Sequence, residues 1–110
     1  MGKKSKDKGY RGERYFVDSL NKNGIIATRV PLSGALKELP GDVMLEWLGS
    51  KRDFECKWRA IGFKEIYKWI KPRRGLFIKA DRLEGLVVLR ISDFTELLTA
   101  ANDNKKEEAA

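Results

Sequence analysis

The chain has 110 residues and carries 23 lysines and arginines against 16 aspartates and glutamates, which gives a net charge of +7 at pH 7. This length suits one domain, and the excess positive charge indicates an anionic partner, with nucleic acid as the leading inference. There is no histidine and one cysteine, Cys56, so the composition excludes a histidine general base and an intramolecular disulfide and argues against a zinc site.

The first predicted element is a helix over residues 9–21. Phe16, Val17 and Leu20 form its apolar stripe, and Glu13 belongs to the same face because the four positions follow the i, i+3, i+4, i+7 spacing. A carboxylate on an inward face is costly unless a cation or hydrogen-bond donors meet it, so we expect a partner such as a nearby metal site. Alternatively, Glu13 lies on a frayed first turn and only favours the positive end of the helix dipole.

Residues 25–30 are predicted to form a strand, and a loop then runs to Pro40. The loop contains Ser33 and Lys37, whose hydroxyl and ammonium groups would suit contacts with a phosphodiester. The same composition is also typical of a plain surface connection.

A β-hairpin follows, and its alternation assigns two faces. The apolar face, including two tryptophans assigned to the core, is Val43, Leu45, Trp47, Phe54, Cys56 and Trp58. The other face carries Asp42, Glu55 and Lys57, and with a Gly49-Ser50 turn Asp42 would lie opposite Lys57 and diagonal to Glu55. Two carboxylates and the Cys56 backbone carbonyl would supply the oxygen ligands that Mg²⁺ or Mn²⁺ prefers. The alternative is an ordinary sheet with one solvated face.

The second half of the chain predicts a helix and two strands. The helix covers residues 63–71, and its apolar stripe consists of Phe63, Ile66, Tyr67 and Ile70. Trp69 lies off this stripe, where it either contacts a dimer partner or exposed bases, or rests against a loop. Residues 76–80 and 86–91 are predicted strands, and the second is apolar enough to be covered on both faces.

A last helix is predicted to begin after Ser92, which is a suitable N-cap. Its inward positions are Phe94, Leu97, Leu98 and Ala101. We therefore expect an α/β fold in which one domain, residues 9–101, lies between a basic flexible arm, 1–8, and a disordered tail, 102–110.

Positive charge is concentrated in two clusters that are predicted to contact nucleic acid. The first cluster is Lys3, Lys4, Lys6 and Lys8, and the second is Lys71, Arg73 and Arg74. General RNA-binding or ribosomal proteins are competing explanations. A membrane role is not expected, because the chain has no long apolar run and no consistently basic amphipathic helix.

Together these residues resemble a known family. The motifs are Glu13 in a Gly-x-x-Gly-Glu-Arg helix, Ser33-Gly34, Pro40-Gly41-Asp42 and Glu55-Cys56-Lys57. In order and spacing, over residues 10–91, they are similar to the archaeal-type (Hjc-type) Holliday-junction resolvases of the PD-(D/E)xK nuclease superfamily. Gly41 is a departure, because the family usually has the proline and the aspartate adjacent. The resemblance implies a restriction-endonuclease-like core with a mixed central sheet flanked by helices, a homodimer, and paired incisions in four-way DNA junctions.

The resemblance also implies roles for the residues. Asp42 and Glu55 would bind Mg²⁺ together with the Cys56 carbonyl, and Lys57 would orient the attacking water or stabilise charge on the phosphate. Glu13 would hold a metal-bound water or a second ion. Other residues expected to contact DNA are the two basic clusters, Arg11, Arg14, Lys37 and Ser33, the last at the scissile phosphate. The reaction would be metal-assisted hydrolysis of a phosphodiester.

Two other functions stay open. One is another PD-(D/E)xK endonuclease that acts on flaps, ends or duplex DNA in repair or restriction. The other is a non-catalytic basic module that binds nucleic acid, in which Asp42 and Glu55 only decorate a sheet. No nucleotide cofactor is expected, because there is no Walker-type loop. The single cysteine and the lack of a signal sequence indicate the cytoplasm, or a phage protein that acts in the host cytoplasm.

Overall fold

The computed structural model describes residues 2–30 and 41–109, with side chains over 10–30 and 41–108. The elements in chain order are α1 (Gly2–Lys22), β1 (Ala27–Arg29), β2 (Val43–Trp47), β3 (Ser50–Phe54), α2 (Lys64–Ile70), β4 (Gly75–Ile78), β5 (Leu86–Leu89) and α3 (Ile91–Ala109). The predicted mixture of helices and strands is therefore confirmed. No helix in the described part of the chain combines the length and the apolar character needed to cross a membrane.

The strands form two antiparallel sheets, β1-β2-β3 and β4-β5, in place of the single mixed sheet that was expected. Of the five strands found in residues 2–30 and 41–109, four belong to hairpins, in which chain neighbours pair with one another. Antiparallel neighbours need only a short turn, whereas parallel neighbours need a long crossover. Local pairing therefore accounts for the observed sheets.

The hydrophobic core lies between the three-stranded sheet and helices α1 and α3. Gly24, with a φ of 90°, follows the end of α1 and lets the Ile25 N–H donate to the Leu20 carbonyl at 3.0 Å. This turn brings the last apolar residue of the helix and the first of the strand segment into the same core. The buried side chains of the core are Leu20, Ile25, Ala27, Val43, Leu45 and Leu98.

The first hairpin turns at Leu48 and Gly49, one residue earlier than predicted. Both residues have positive φ, 54° and 91°, as in the type I′ turns that suit the twist of two-residue hairpins. Val43 consequently pairs with Phe54. The predicted register, in which Asp42 lies opposite Lys57, is wrong by two residues. Because the shift is even, the residues paired in the β2-β3 ladder keep their predicted faces.

The inward face of helix α3 agrees with the prediction at Leu98, which is buried, and at Phe94, which packs against the core, but not at Leu97. Thr95, Leu98 and Asn102 are buried at positions i, i+3 and i+7, whereas Leu97 is exposed. The Asn102 side chain is 7% exposed, accepts the Leu48 N–H at 2.7 Å and donates to the Glu46 carbonyl at 3.3 Å. The hydropathy pattern missed Thr95 and Asn102 because both are polar.

Both ends of the chain are helical where flexible segments were expected. Helix α1 begins at Gly2, so it includes residues 2–8, and α3 extends through residues 102–109. For α3 the contacts of Asn102 with the hairpin give a physical reason, because they fix the helix beyond its last apolar residue. The division into a domain, residues 9–101, and two tails stays a prediction.

The β4-β5 sheet leaves apolar side chains uncovered, so the prediction of a strand covered on both faces is wrong. Phe77 is 87% exposed, and Leu86 and Val87 of β5 are also exposed. Helix α2 buries only Ile70, and Tyr67, which was predicted to face inward, is 73% exposed. A two-stranded sheet has no second layer of its own, so its apolar residues stay open to solvent.

Hydrogen bonds from Arg90 join the end of β5 to the end of α2 within this second unit. The Arg90 guanidinium donates to the backbone carbonyls of Ile70, Lys71 and Arg73 at 3.0, 3.2 and 2.8 Å. These carbonyls lie at the C-terminal end of α2, where a cation is favourable and helix carbonyls lack internal partners. Arg90, which directly precedes α3, therefore stabilises the C-terminal end of α2.

Candidate active site

Asp42 is held by three hydrogen bonds at the end of the first sheet. Its N–H donates to the Phe54 carbonyl at 3.0 Å, and its carbonyl accepts the Val30 N–H at 3.0 Å. Its carboxylate oxygen Oδ2 accepts the Cys56 N–H at 2.8 Å. The carboxylate is thereby fixed against the Glu55-Cys56-Lys57 segment, and among residues 10–30 and 41–108 no hydrogen bond is made to Oδ1.

Glu13 lies on the inward face of α1, as predicted, but its partner is an arginine. Its side chain is 18% exposed, and Oε2 accepts a hydrogen bond from Arg29 Nε at 2.6 Å. The Arg29 guanidinium also lies 4.5 Å from the centre of the Tyr10 ring. The sequence contained a signal for Arg29, because it shares the inward face of β1 with the buried Ala27.

Glu55 and Lys57 form an ion pair on the open surface. Lys57 Nζ lies 3.3 Å from Glu55 Oε1, and the two side chains are 54% and 66% exposed for the lysine and the glutamate. Exposed pairs of this kind contribute about 0–1 kcal/mol, so little energy holds them together. Both groups are accessible to a ligand.

The three acidic residues all raise the pKa of one group, the thiol of Cys56. Burial and then the negative charges of Asp42, Glu13 and Glu55, in decreasing order, raise the pKa of Cys56 to about 11. The thiol is therefore protonated and unreactive at neutral pH. The carboxylates come from α1, from the chain before β2 and from the chain after β3, so the fold gathers residues that are distant in sequence.

Trp58 connects α1 to this segment instead of entering the core. Strand β3 ends at Phe54, so the alternation that predicted a buried Trp58 does not continue, and the side chain is 46% exposed. Trp58 packs on Gly12, where an added Cβ would lie 3.3 Å from Trp58 Cε3, and edge-to-face on Tyr15 at 5.9 Å. Gly12 and Trp58 thus bring Glu13 close to the chain that carries Glu55. Trp47 does pack against the core, as predicted.

The carboxylate oxygens of these residues are the kind of ligand that a hard cation such as Mg²⁺ prefers. They do not form a closed metal site. Within residues 2–30 and 41–109, no three His, Cys, Asp or Glu side chains come close enough to hold an ion. Each carboxylate has a protein donor instead: Arg29 for Glu13, the Cys56 N–H for Asp42 and Lys57 for Glu55. An ion held here would need Asp42, Glu55, a backbone carbonyl and water as its ligands.

The residues predicted to contact DNA are only partly described. Ser33 and Lys37 lie outside the described residues, as do the side chains of Lys3, Lys4, Lys6 and Lys8 on the first turns of α1. Arg11 and Arg14 are exposed on α1, and Lys71 and Arg73 are exposed after α2. Arg74 Nη1 donates to Asp93 Oδ1 at 2.6 Å, so part of its charge is neutralised within the protein.

No family model, curated protein or solved structure matches this chain. Membership of the resolvase family therefore stays a prediction that depends on the motif residues. A function has to be inferred from the residues and from the geometry around Cys56.

Proposed function

We propose that the protein is a metal-dependent DNA endonuclease that resolves four-way junctions. The observation that carries this proposal is that the Asp42 carboxylate accepts the Cys56 N–H, between Glu55 and Lys57, while the negative charge of Glu13 from α1 also contributes to the raised pKa of the Cys56 thiol. A sheet decorated by chance explains carboxylates on one hairpin. The ion pair with Arg29 explains how Glu13 is half-buried, and the nuclease proposal adds a reason for a carboxylate of a separate helix to lie near Cys56.

Asp42, Glu55 and the Cys56 carbonyl would hold Mg²⁺ or Mn²⁺, with Glu13 at a metal-bound water or a second ion. When bound, such an ion activates water and neutralises charge on the phosphate. The contributions of the chain itself are positional and electrostatic. The hydrogen bonds of Asp42 keep its carboxylate in place, and the exposed Lys57 ammonium is free to orient a water or to face a phosphate oxygen.

The finer description of the fold belongs to the same proposal. We infer a restriction-endonuclease-like core, of which the three-stranded sheet and α1 would be the part that carries the catalytic residues. We also infer a homodimer, because paired incisions in a two-fold symmetric junction need two sites. The exposed apolar residues of the β4-β5 sheet support an arrangement in which another surface covers them.

DNA as the partner is supported by the net charge of +7 and by the exposed basic residues on α1 and after α2. If these residues bind phosphates, the logarithm of the junction affinity should fall by about 0.9 per tenfold rise in salt for each phosphate neutralised. A titration of junction binding in EDTA over a range of salt concentrations measures this slope. A flat dependence would show that the basic residues are not the DNA surface.

A non-catalytic module that binds nucleic acid is the second candidate, and one specific observation favours it. Each of the three carboxylates already has a protein partner, as a purely structural network would require. On this alternative Glu13 and Asp42 stabilise the fold and Glu55 is incidental. Another PD-(D/E)xK nuclease would share the site and differ in its preferred DNA.

The test is to incubate the protein with a four-way junction, a flap and a linear duplex, with Mg²⁺ or EDTA. Symmetric Mg²⁺-dependent nicks in the junction alone would support the resolvase, and cutting of the flap or the duplex would indicate a less selective nuclease. Binding without cutting, together with no calorimetric signal for Mn²⁺, would favour the module. At position 42, Asp42→Asn tests the carboxylate charge alone. The amide oxygen can still accept the Cys56 N–H, so the hydrogen bond is kept while the charge is lost.

A further inference from the structure

The departure at Gly41 has a physical explanation in the neighbouring strand. Asp53, opposite Met44 in the β2-β3 ladder, is half-buried, and its Oδ2 accepts the Gly41 N–H at 2.6 Å. A hydrogen bond of this length to a carboxylate belongs to the strong, charge-assisted class. The Asp53 carboxylate is therefore committed to the backbone immediately before Asp42.

Gly41 leaves no room for a side chain at this contact. A Cβ added at Gly41 would lie 2.6 Å from Asp53 Oδ2, 3.1 Å from Asp53 Cβ and 3.1 Å from the Phe54 carbonyl oxygen. Glycine is thus needed here for close approach. Any larger residue would push the Asp53 carboxylate or the backbone away.

Two consecutive N–H groups consequently attach to two consecutive residues of β3. Gly41 donates to the Asp53 side chain and Asp42 donates to the Phe54 carbonyl at 3.0 Å. The Asp42 carboxylate then reaches the Cys56 N–H. Removal of the Asp53 carboxylate would free the first of these attachments and let the Asp42 carboxylate shift relative to Glu55.

We propose that Asp53 is a positioning residue that fixes Asp42 through the Gly41 N–H, an inference that rests on the proposed nuclease function. The role proposed for Asp53 is this hydrogen bond to the Gly41 N–H, and no metal ligation is assigned to it. Residues that orient metal ligands typically change metal affinity or activity by about 10- to 100-fold when they are replaced. Asp53 should behave as such a residue without affecting DNA affinity.

Three variants test the role. Asp53→Ala removes the acceptor, Gly41→Ala keeps the acceptor but displaces it, and Asp53→Asn keeps an oxygen that can accept the Gly41 N–H. We expect kcat for the junction and calorimetric Mn²⁺ affinity to fall about 10- to 100-fold in the first two variants and to stay near wild type in Asp53→Asn. Junction affinity in EDTA should be the same in all of them. Glu46→Ala, which removes another carboxylate of the same hairpin, is the matched control.

An independent readout is hydrogen exchange at the Gly41 amide, followed by NMR in metal-free protein. Protection should be lost in Asp53→Ala and kept in Asp53→Asn. If wild type cleaves and both Asp53→Ala and Gly41→Ala match its kcat and Mn²⁺ affinity, the positioning role is wrong while the nuclease stands. If wild type neither cleaves nor binds Mn²⁺, both proposals fail. If Asp53→Ala does not fold, Gly41→Ala decides, and an unchanged kcat in that variant overturns the role.

Discussion

The two sheets of this protein are stabilised in different ways. The β1-β2-β3 sheet packs against α1 and α3 through buried apolar side chains, and Asn102 fixes its hairpin by two hydrogen bonds. The β4-β5 sheet exposes Phe77 and Val87 in the described part of the chain, and its unit is linked to α3 by the ion pair of Arg74 with Asp93.

The first sheet carries the residues of the proposed site, whereas the second sheet carries an exposed apolar surface. Asp42 is hydrogen-bonded at the end of the first sheet, and Glu55 and Lys57 are exposed beside it, as the proposed chemistry on a bound substrate would require. The second sheet offers exposed apolar residues whose burial would be favourable. Variants in the two regions should therefore fail in different ways.

The largest effect is expected at the site. If Glu55 is a direct metal ligand, as proposed, Glu55→Gln should reduce Mg²⁺-dependent junction cleavage by more than the roughly 100-fold typical of residues behind the metal ligands, because the charge of the ligand is lost. Folding should be unaffected, since the side chain is exposed. Single-turnover cleavage measures the loss, with the exposed Glu84→Gln as control. Full activity of Glu55→Gln would contradict the assigned site.

The two regions should differ next in stability. Leu45→Ala should lower the free energy of unfolding by about 2–5 kcal/mol, because it opens a cavity in the core. Phe77→Ser should change it by less than about 0.5 kcal/mol and should weaken self-association instead. Urea titration and sedimentation analysis measure the two effects. A large loss of stability in monomeric Phe77→Ser would mean that the second sheet is not an open surface.

A smaller effect is expected at the contact between α3 and the hairpin. Asn102→Ala should cost about 1–3 kcal/mol, because the Leu48 N–H and the Glu46 carbonyl would lose their partner beside the core. Asn104→Ala, an exposed neighbour on the same helix, should be nearly neutral. Urea titration of both variants checks the difference. Equal effects would show that Asn102 does not join the helix to the sheet.

The smallest effect is a pH dependence that reports on the acidic residues. The Cys56 thiol has an ordinary pKa of 9.0 when unfolded and a pKa raised to about 11 when folded, by burial and then by Asp42, Glu13 and Glu55. The unfolded state therefore loses the proton first, and this contribution to stability falls as pH rises from 9.0 towards about 11. Wild type should lose more stability over this range than Cys56→Ser.

In Glu55→Gln the thiolate of Cys56 should form at a lower pH than in wild type, as followed by ultraviolet absorbance. An unchanged titration would place Glu55 too far from Cys56 to share its site.

Much of the candidate site was predictable from local patterns. Helical spacing predicted that Glu13 faces inward, and strand alternation predicted that Asp42 and Glu55 belong to the face opposite Val43. Neither pattern predicted the partners of these residues. Arg29, which neutralises Glu13, comes from another element, and the two-residue shift of the hairpin depends on where its turn forms.

The sequence by itself determined the mixture of helices and strands, the alternation of the hairpin and the side of the helix on which Glu13 lies. These features follow from the periods of 3.6 and 2 residues, which are properties of the local chain. Only the tertiary structure decided that Asn102 is buried while Leu97 is exposed, that Trp58 lies on Gly12, and that Asp53 holds Gly41. Burial and hydrogen bonding depend on which element covers another, and that is a relation between segments far apart in the chain.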